Sequence, residues 1–211
     1  MPDRNRMTPL GEPIAVDARG LVYGNRGNIH DARRRIRRPY GVKRWIACQL
    51  SFRGWHRAPL MQPGRFTELF FLDEATAFAA GHRPCRLCRF DDYESFVDVW
   101  TTIHPHRATN ADAIDDVLHR ERWDPHVRAQ RRHEARLGGL PDGTFVLGGG
   151  DVPWLVLGPH LIRWTPSGYT ERQPRRPRAT ATIITPQSLI GVLETERTPL
   201  VPFLHPSAYE G

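Results

Sequence analysis

Residues 66–90 read FTELFFLDEATAFAAGHRPCRLCRF. Phe66–Leu72 is short, apolar and aromatic, the composition of a strand. Asp73 stands before the helix-forming run Glu74-Ala75-Thr76-Ala77-Phe78-Ala79-Ala80, where its carboxylate can accept the first unpaired amides, and Gly81 ends the run. Cys85-Arg86-Leu87-Cys88 then puts two thiols on one turn. A C-x-x-C pair serves either redox chemistry or a metal. The redox form opens a helix after a strand, whereas this pair follows a helix and a glycine, so the spacing points to a zinc knuckle.

A structural zinc ion needs four soft or borderline ligands at tetrahedral corners. Cys48, on a strand expected over Val42–Phe52, is the third sulfur. Three histidines compete for the fourth corner. His30 is preferred, because it follows the GNRGN turn on a strand able to pair with that of Cys48. His56, eight residues beyond Cys48, is the alternative. His82, three residues before Cys85, is the most constrained. Arginines around the knuckle favour thiolates.

Upstream, residues 1–13 read as disordered, and Ile14–His30 as short strands punctuated by Gly20, Gly24 and Gly27. Asp31–Tyr40 is a basic turn or strand edge. Downstream, a helix from about Asp91 through Ile103 aligns Tyr93, Phe96, Val97 and Trp100 on one face. A third helix starts near Ala111, capped by Asn110 or Thr109. Asp124-Pro125 interrupts it, and His126–Leu137 continues as a very basic helix. Beyond Gly139 the chain turns to strand-like runs, then Pro186 and a short helix over Gln187–Glu194, then a proline-rich tail. The expectation is an α+β protein. A β-rich zinc-knuckle module would cover 14–100, a helical connector 101–138, and a small antiparallel β module 139–211.

Hydrophobic residues make up 39% of the 211, so the core is modest and a metal would help it. No run approaches the roughly 20 apolar residues of a membrane span, and Met1–Arg6 carries no secretory pattern, so a cytoplasmic protein is expected. There, three cysteines argue for metal rather than disulfides. The formal charge is +7, and Lys43 is the only lysine among 30 cationic side chains. Arginine forks suit phosphates and base edges, so nucleic acid, DNA first, is the expected partner. The candidate contacts are Arg33, Arg34, Arg35, Arg37 and Arg38, with Arg83, Arg86 and Arg89 around the knuckle, the further basic run Arg128–Arg136, and Trp45, Trp55 and Tyr40 for stacking.

Other residues can carry chemistry. Asp115 and His119 stand i, i+4 on a helix, with Glu121 nearby, a pattern suited to general base catalysis. Lys43 is the only amine side chain able to form a Schiff base. No phosphate-binding glycine loop is present.

The stretch Phe70-Phe71 through Asp73–Gly81 to Arg83-Pro84-Cys85-Arg86-Leu87-Cys88 resembles the metal-binding domain of the bacterial Ada DNA-repair methyl-acceptor family, over about 20 of 211 residues. That resemblance implies a zinc–thiolate site held against DNA. In that family all four ligands are cysteines, and one accepts a methyl group from a phosphotriester. Here only Cys48 remains of the upstream pair. Three thiolates and a neutral histidine leave the site at about −1 rather than about −2, a poorer nucleophile. The whole chain is also similar to a family of bacterial zinc proteins that share GNRG-x-x-HD, WI-x-C, the knuckle, LHRER and HPSA; no activity carries over from it, and it adds to the preference for His30. The resulting reading is a zinc-dependent DNA-binding protein of repair or processing. The alternatives are an enzyme on damaged DNA (nuclease, glycosylase or lyase, or Cys48 methyl acceptor) and a zinc module for protein interaction.

Overall fold

The computed structural model describes residues 1–55, 58–195 and 203–210. Its first half is a mixed sheet of β1 (Arg6–Met7), β2 (Pro13–Ile14), β3 (Val22–Asn25), β4 (Ile46–Cys48), β5 (Leu69–Phe71) and, after helix α1 (Glu74–Ala79), β6 (Arg83–Pro84). The order is β2-β1-β5-β3-β4-β6; β1 runs parallel to β5 and β4 parallel to β6. The segment before Ile14, expected to be disordered, supplies two strands, because Arg6 and Met7 find open pairing partners on Phe70 and Phe71.

Strand alternation divides this sheet into two faces. Val22, Ala47, Leu69 and Phe71 pack with Ala77 and Ala80 of the helical segment. The intervening Tyr23, Ile46, Cys48 and Phe70 point to the other face, where they meet Cys85 and Cys88. One face therefore builds the core and the other gathers sulfur.

Two helices follow, α2 (Phe90–Ile103) and α3 (Ala111–Arg122), then a small ribbon of β7 (Trp123–Asp124) and β8 (Ala129–Gln130). The second sheet takes β9 (His133–Arg136), β10 (Phe145–Leu147), β11 (Pro153–Leu157), β12 (His160–Thr165), β13 (Gly168–Pro174) and β14 (Thr180–Ile183), and α4 (Gln187–Leu193) comes after it. All its pairs are antiparallel, in the order β13-β12-β11-β10-β14-β9. The helix expected over His126–Leu137 is thus replaced by a ribbon and an edge strand. Its Ala, Arg, Glu and Gln residues favour a helix, but the free edge of β14 offers ladder partners from Thr180 to Ile183, and tertiary pairing wins.

Helix α1 joins everything. All six of its residues are buried. Ala75 and Ala79 meet Phe145, Leu155, Ile162 and Trp164 of the second sheet, while Phe78 meets Phe96, Trp100, Ile114 and Leu118 of α2 and α3. Its alanines let neighbours come close on every side, and its two polar residues, Glu74 and Thr76, are matched by Arg89 and Asp73. The tail contributes too, with Leu204 and Ala208 in the same core as Ala75; residues 198–202 of the tail lie outside the described part. Among the described residues no helix is long and apolar enough to cross a membrane.

Candidate metal centre and its basic surroundings

Cys48 ends β4, and Cys85 follows β6, the neighbour to which β4 runs parallel. The Cys85 amide donates to the Ala47 carbonyl at 2.9 Å, and the Arg89 amide closes the knuckle on the Cys85 carbonyl at 3.0 Å. The three sulfurs lie within 4.8 Å of one another, and their residues are 5, 7 and 8% exposed. Three cysteines so placed can hold one metal ion.

The electrostatics of the sulfurs fit that role. Cys85 is held well below the usual thiol range by hydrogen bonds from Cys48 and Cys88 and by the amides of Cys88 and Leu87. Cys48 is pushed far up, because it donates to Cys85 and Cys88 and is buried. Without a cation, one thiolate is stabilised while a neighbour keeps its proton. A divalent ion removes that conflict by neutralising all three.

The fourth corner differs from the first expectation. His30 does not join the sulfurs among the described residues. Its Nδ1 lies 2.6 Å from Thr67 Oγ1 and its Nε2 3.2 Å from the Gln62 carbonyl, so both ring nitrogens are used by the segment that precedes β5. His82 is fully buried on Trp45 and Phe71 with both nitrogens unpartnered, and it too is absent from the sulfur group. His56 lies outside the described residues.

Three expected DNA contacts are interior. Arg83 makes a two-pronged ion pair with Asp115, at 3.0 and 2.6 Å. Arg89 pairs with Glu74, both side chains fully buried, and with Asp92 at 2.7 Å. Trp45 is 2% exposed. A chain with few lysines and many arginines uses some of those arginines to join its elements, because a guanidinium brings a fork of donors into the interior. Arg33, Arg34, Arg35, Arg37, Arg38 and Arg86 are exposed. Asp3 pairs with Arg34, and Asp31 with Arg35 and Arg37. Of the aromatics near the knuckle, Trp55 presents its ring to solvent and packs edge-on against Phe52, itself set on the sulfur cluster.

The candidate catalytic group is dispersed. Asp115 is used by Arg83, so it does not pair with His119, whose ring meets Tyr40 edge-on at 4.6 Å. Glu121 accepts from the Ser188 amide and hydroxyl and caps α4. Lys43 pairs with Asp116 on the surface at 2.7 Å.

Sequence reasoning missed Arg26 and Arg122. Both are buried, and their guanidinium carbons lie 4.7 and 4.2 Å from the Trp45 ring centre. Burial lowers both to about 9. The available signal was the turn at Gly27 that follows Arg26 at the end of β3.

Compared with protein-family models, with curated proteins and with solved structures, the chain matches none.

Proposed function

We propose that Cys48, Cys85 and Cys88 hold one structural zinc ion with a histidine as fourth ligand, and that the resulting basic module binds DNA in repair or processing. The carrying observation is the convergence of three buried sulfurs within 4.8 Å. Tetrahedral zinc at about 2.3 Å from each sulfur needs them about 3.8 Å apart, a small adjustment from this arrangement. Their burial suits a closed structural site better than an open catalytic one. His30 is bonded to Thr67 and Gln62, and His82 lies outside the sulfur group, so His56, eight residues beyond Cys48 in sequence, is the preferred fourth ligand.

The DNA half rests on charge. A net +7, with Arg33, Arg34, Arg35, Arg37, Arg38 and Arg86 exposed, favours a polyanion. The exposed Trp55 ring beside the knuckle suits stacking on an unpaired base.

Fluorescence anisotropy with labelled duplex and single-stranded DNA over a salt series tests this. Affinity falls steeply with salt, and Arg34→Ala with Arg38→Ala flattens the slope by about one per lost phosphate contact. Binding that is absent, or insensitive to salt, contradicts the DNA half. Removal of zinc by a chelator abolishes binding together with the folded state.

A further inference from the structure

A cavity of about 360 Å³ lies between the amino-terminal strands, the Arg37-Arg38-Pro39 turn and the β7–β8 ribbon. Six arginines line it: Arg4, Arg26, Arg37, Arg38, Arg128 and Arg132. Among the described residues Glu12 is the only acidic side chain on its wall. It shares Arg37 and Arg38 with the candidate DNA face, whereas Cys48, Cys85, Cys88, Arg33, Arg34, Arg35 and Arg86 do not belong to it.

The floor of this cavity carries the argument. Arg26 is 2% exposed. Its Nη2 donates to the Gly11 carbonyl at 2.9 Å, while its buried Nε has no partner. Among the described residues no carboxylate pairs with it, and burial alone lowers its pKa. An uncompensated guanidinium taken out of water is costly, and the Trp45 ring below it offsets only part of that cost. Among the described residues no acidic group compensates Arg26 itself; Asp115, the buried carboxylate behind it, acts on Arg83 and Arg122. Arg122 lies over the same indole with its own Nε unpartnered, and His82, also on Trp45, has two unpartnered ring nitrogens.

The wall is not neutralised either. Arg38 and Arg128 make no ion pair among the described residues, and Arg4 donates to the Pro13 carbonyl. Arg37 reaches Asp31 only at 3.9 Å, and Arg132 reaches Asp151 at 3.2 Å. One further buried atom is unmatched. Gln130 donates through Nε2 to the Pro9 and Ala79 carbonyls, which leaves its Oε1 without a donor. The residues lining the cavity thus carry one buried donor that lacks an acceptor, one buried acceptor that lacks a donor, and an excess of fixed positive charge.

We infer that this cavity binds a phosphoryl group, the Arg26 guanidinium taking its oxygens from below and the surface arginines closing over it. Phosphate oxygens match the arginine forks. A concave site with a buried floor suits a terminal or free phosphate, because an internal phosphodiester must enter and leave along an open track. Two sources share this chemistry: the 5′ end of a nucleic-acid strand and a small phosphate. The assignment does not depend on the zinc site.

The test uses the whole zinc-loaded protein, with inorganic phosphate and a short single-stranded oligonucleotide in 5′-phosphorylated and 5′-hydroxyl forms. If the strand end is the source, the phosphorylated form binds at least about tenfold tighter, the effect of one charge-assisted hydrogen bond, and inorganic phosphate competes the difference away. If a small phosphate is the source, the two oligonucleotides bind equally and millimolar phosphate raises the melting temperature. Arg26→Met removes either signal. Arg38→Ala with Arg128→Ala, both exposed and without an ion pair among the described residues, weakens it and keeps one zinc per chain, which separates this pocket from the metal reading. The inference is overturned if neither oligonucleotide preference nor phosphate stabilisation occurs, or if the signal survives in both variants.

Discussion

Arg83 enters the interior two residues before the knuckle and meets Asp115 with both prongs of its guanidinium, at 2% and 3% side-chain exposure. Burial pushes the Asp115 carboxyl up, and Arg83 opposes that shift. A buried pair of this kind adds little net stability, yet losing one partner strands the other charge. Asp115→Ala is therefore expected to cost about 3–5 kcal/mol in urea unfolding, and Arg83→Met with Asp115→Leu to recover most of it. A loss under about 1 kcal/mol in the single variant would show that the pair is not buried in solution. Asp73 binds together a second set of groups. It accepts from the Thr76 amide and hydroxyl, from Tyr169 Oη at 2.8 Å and from the His205 amide at 2.9 Å. Asp73→Ala removes a helix cap and leaves those buried donors unmatched, for an expected loss of about 2–4 kcal/mol; retention of the wild-type melting temperature would refute this.

Helix α1 and the knuckle were the most legible elements, because local chemistry sets them. Asp73 caps, Gly81 stops, and the turn Arg83–Cys88 follows, as the residues read in order. Gly81 has φ +83°, and a Cβ there would lie 2.5 Å from Arg122 Cδ. Gly81→Ala should destabilise by more than about 1 kcal/mol, by thermal unfolding, and a neutral result would mean that the Arg122 stem does not pack there. What local chemistry does not encode is which edges are free. The strands at Arg6–Met7 and Pro13–Ile14 exist because β5 has an open side, and β9 exists because β14 does. The same limit explains the metal site. The three sulfurs were readable from residue type and turn context, whereas His30 was misplaced because its hydrogen bonds run to Thr67 and Gln62, residues distant in sequence. Arg83 and Arg89 read as surface cations for the same reason, since their partners Asp115 and Glu74 are brought to them only by the fold.

At the scale of the molecule, a modest core is shared between two sheets through one short helix, and buried cations are spread through it. This arrangement makes stability depend on pH. His82 is buried beside Arg26 and Arg122, and burial first, then those two charges, hold its pKa well below 6.5. In the unfolded chain it protonates near 6.5, and in the folded one it does not, so its contribution is complete above 6.5 and falls as pH drops below that value. Glu74, pushed up to about 7 by burial, acts in the opposite sense: the folded state keeps its proton where the unfolded chain loses it, so that contribution declines as pH rises from 4.5 to about 7. Comparison of wild type with His82→Phe isolates the histidine. The stability difference between them should change by up to about 1.4 kcal/mol per pH unit below 6.5, in favour of the variant at lower pH. A constant difference would mean that His82 is solvated in solution.

The account turns on one ion shared by three sulfurs. The most direct measurement is metal content with X-ray absorption at the zinc edge, on protein purified without added metal and on Cys48→Ser. It should find one zinc per chain, with three sulfur neighbours and one nitrogen, and a loss of stoichiometric metal in the variant. Protein that folds without zinc, or zinc whose sulfur neighbours exclude Cys48, would contradict it.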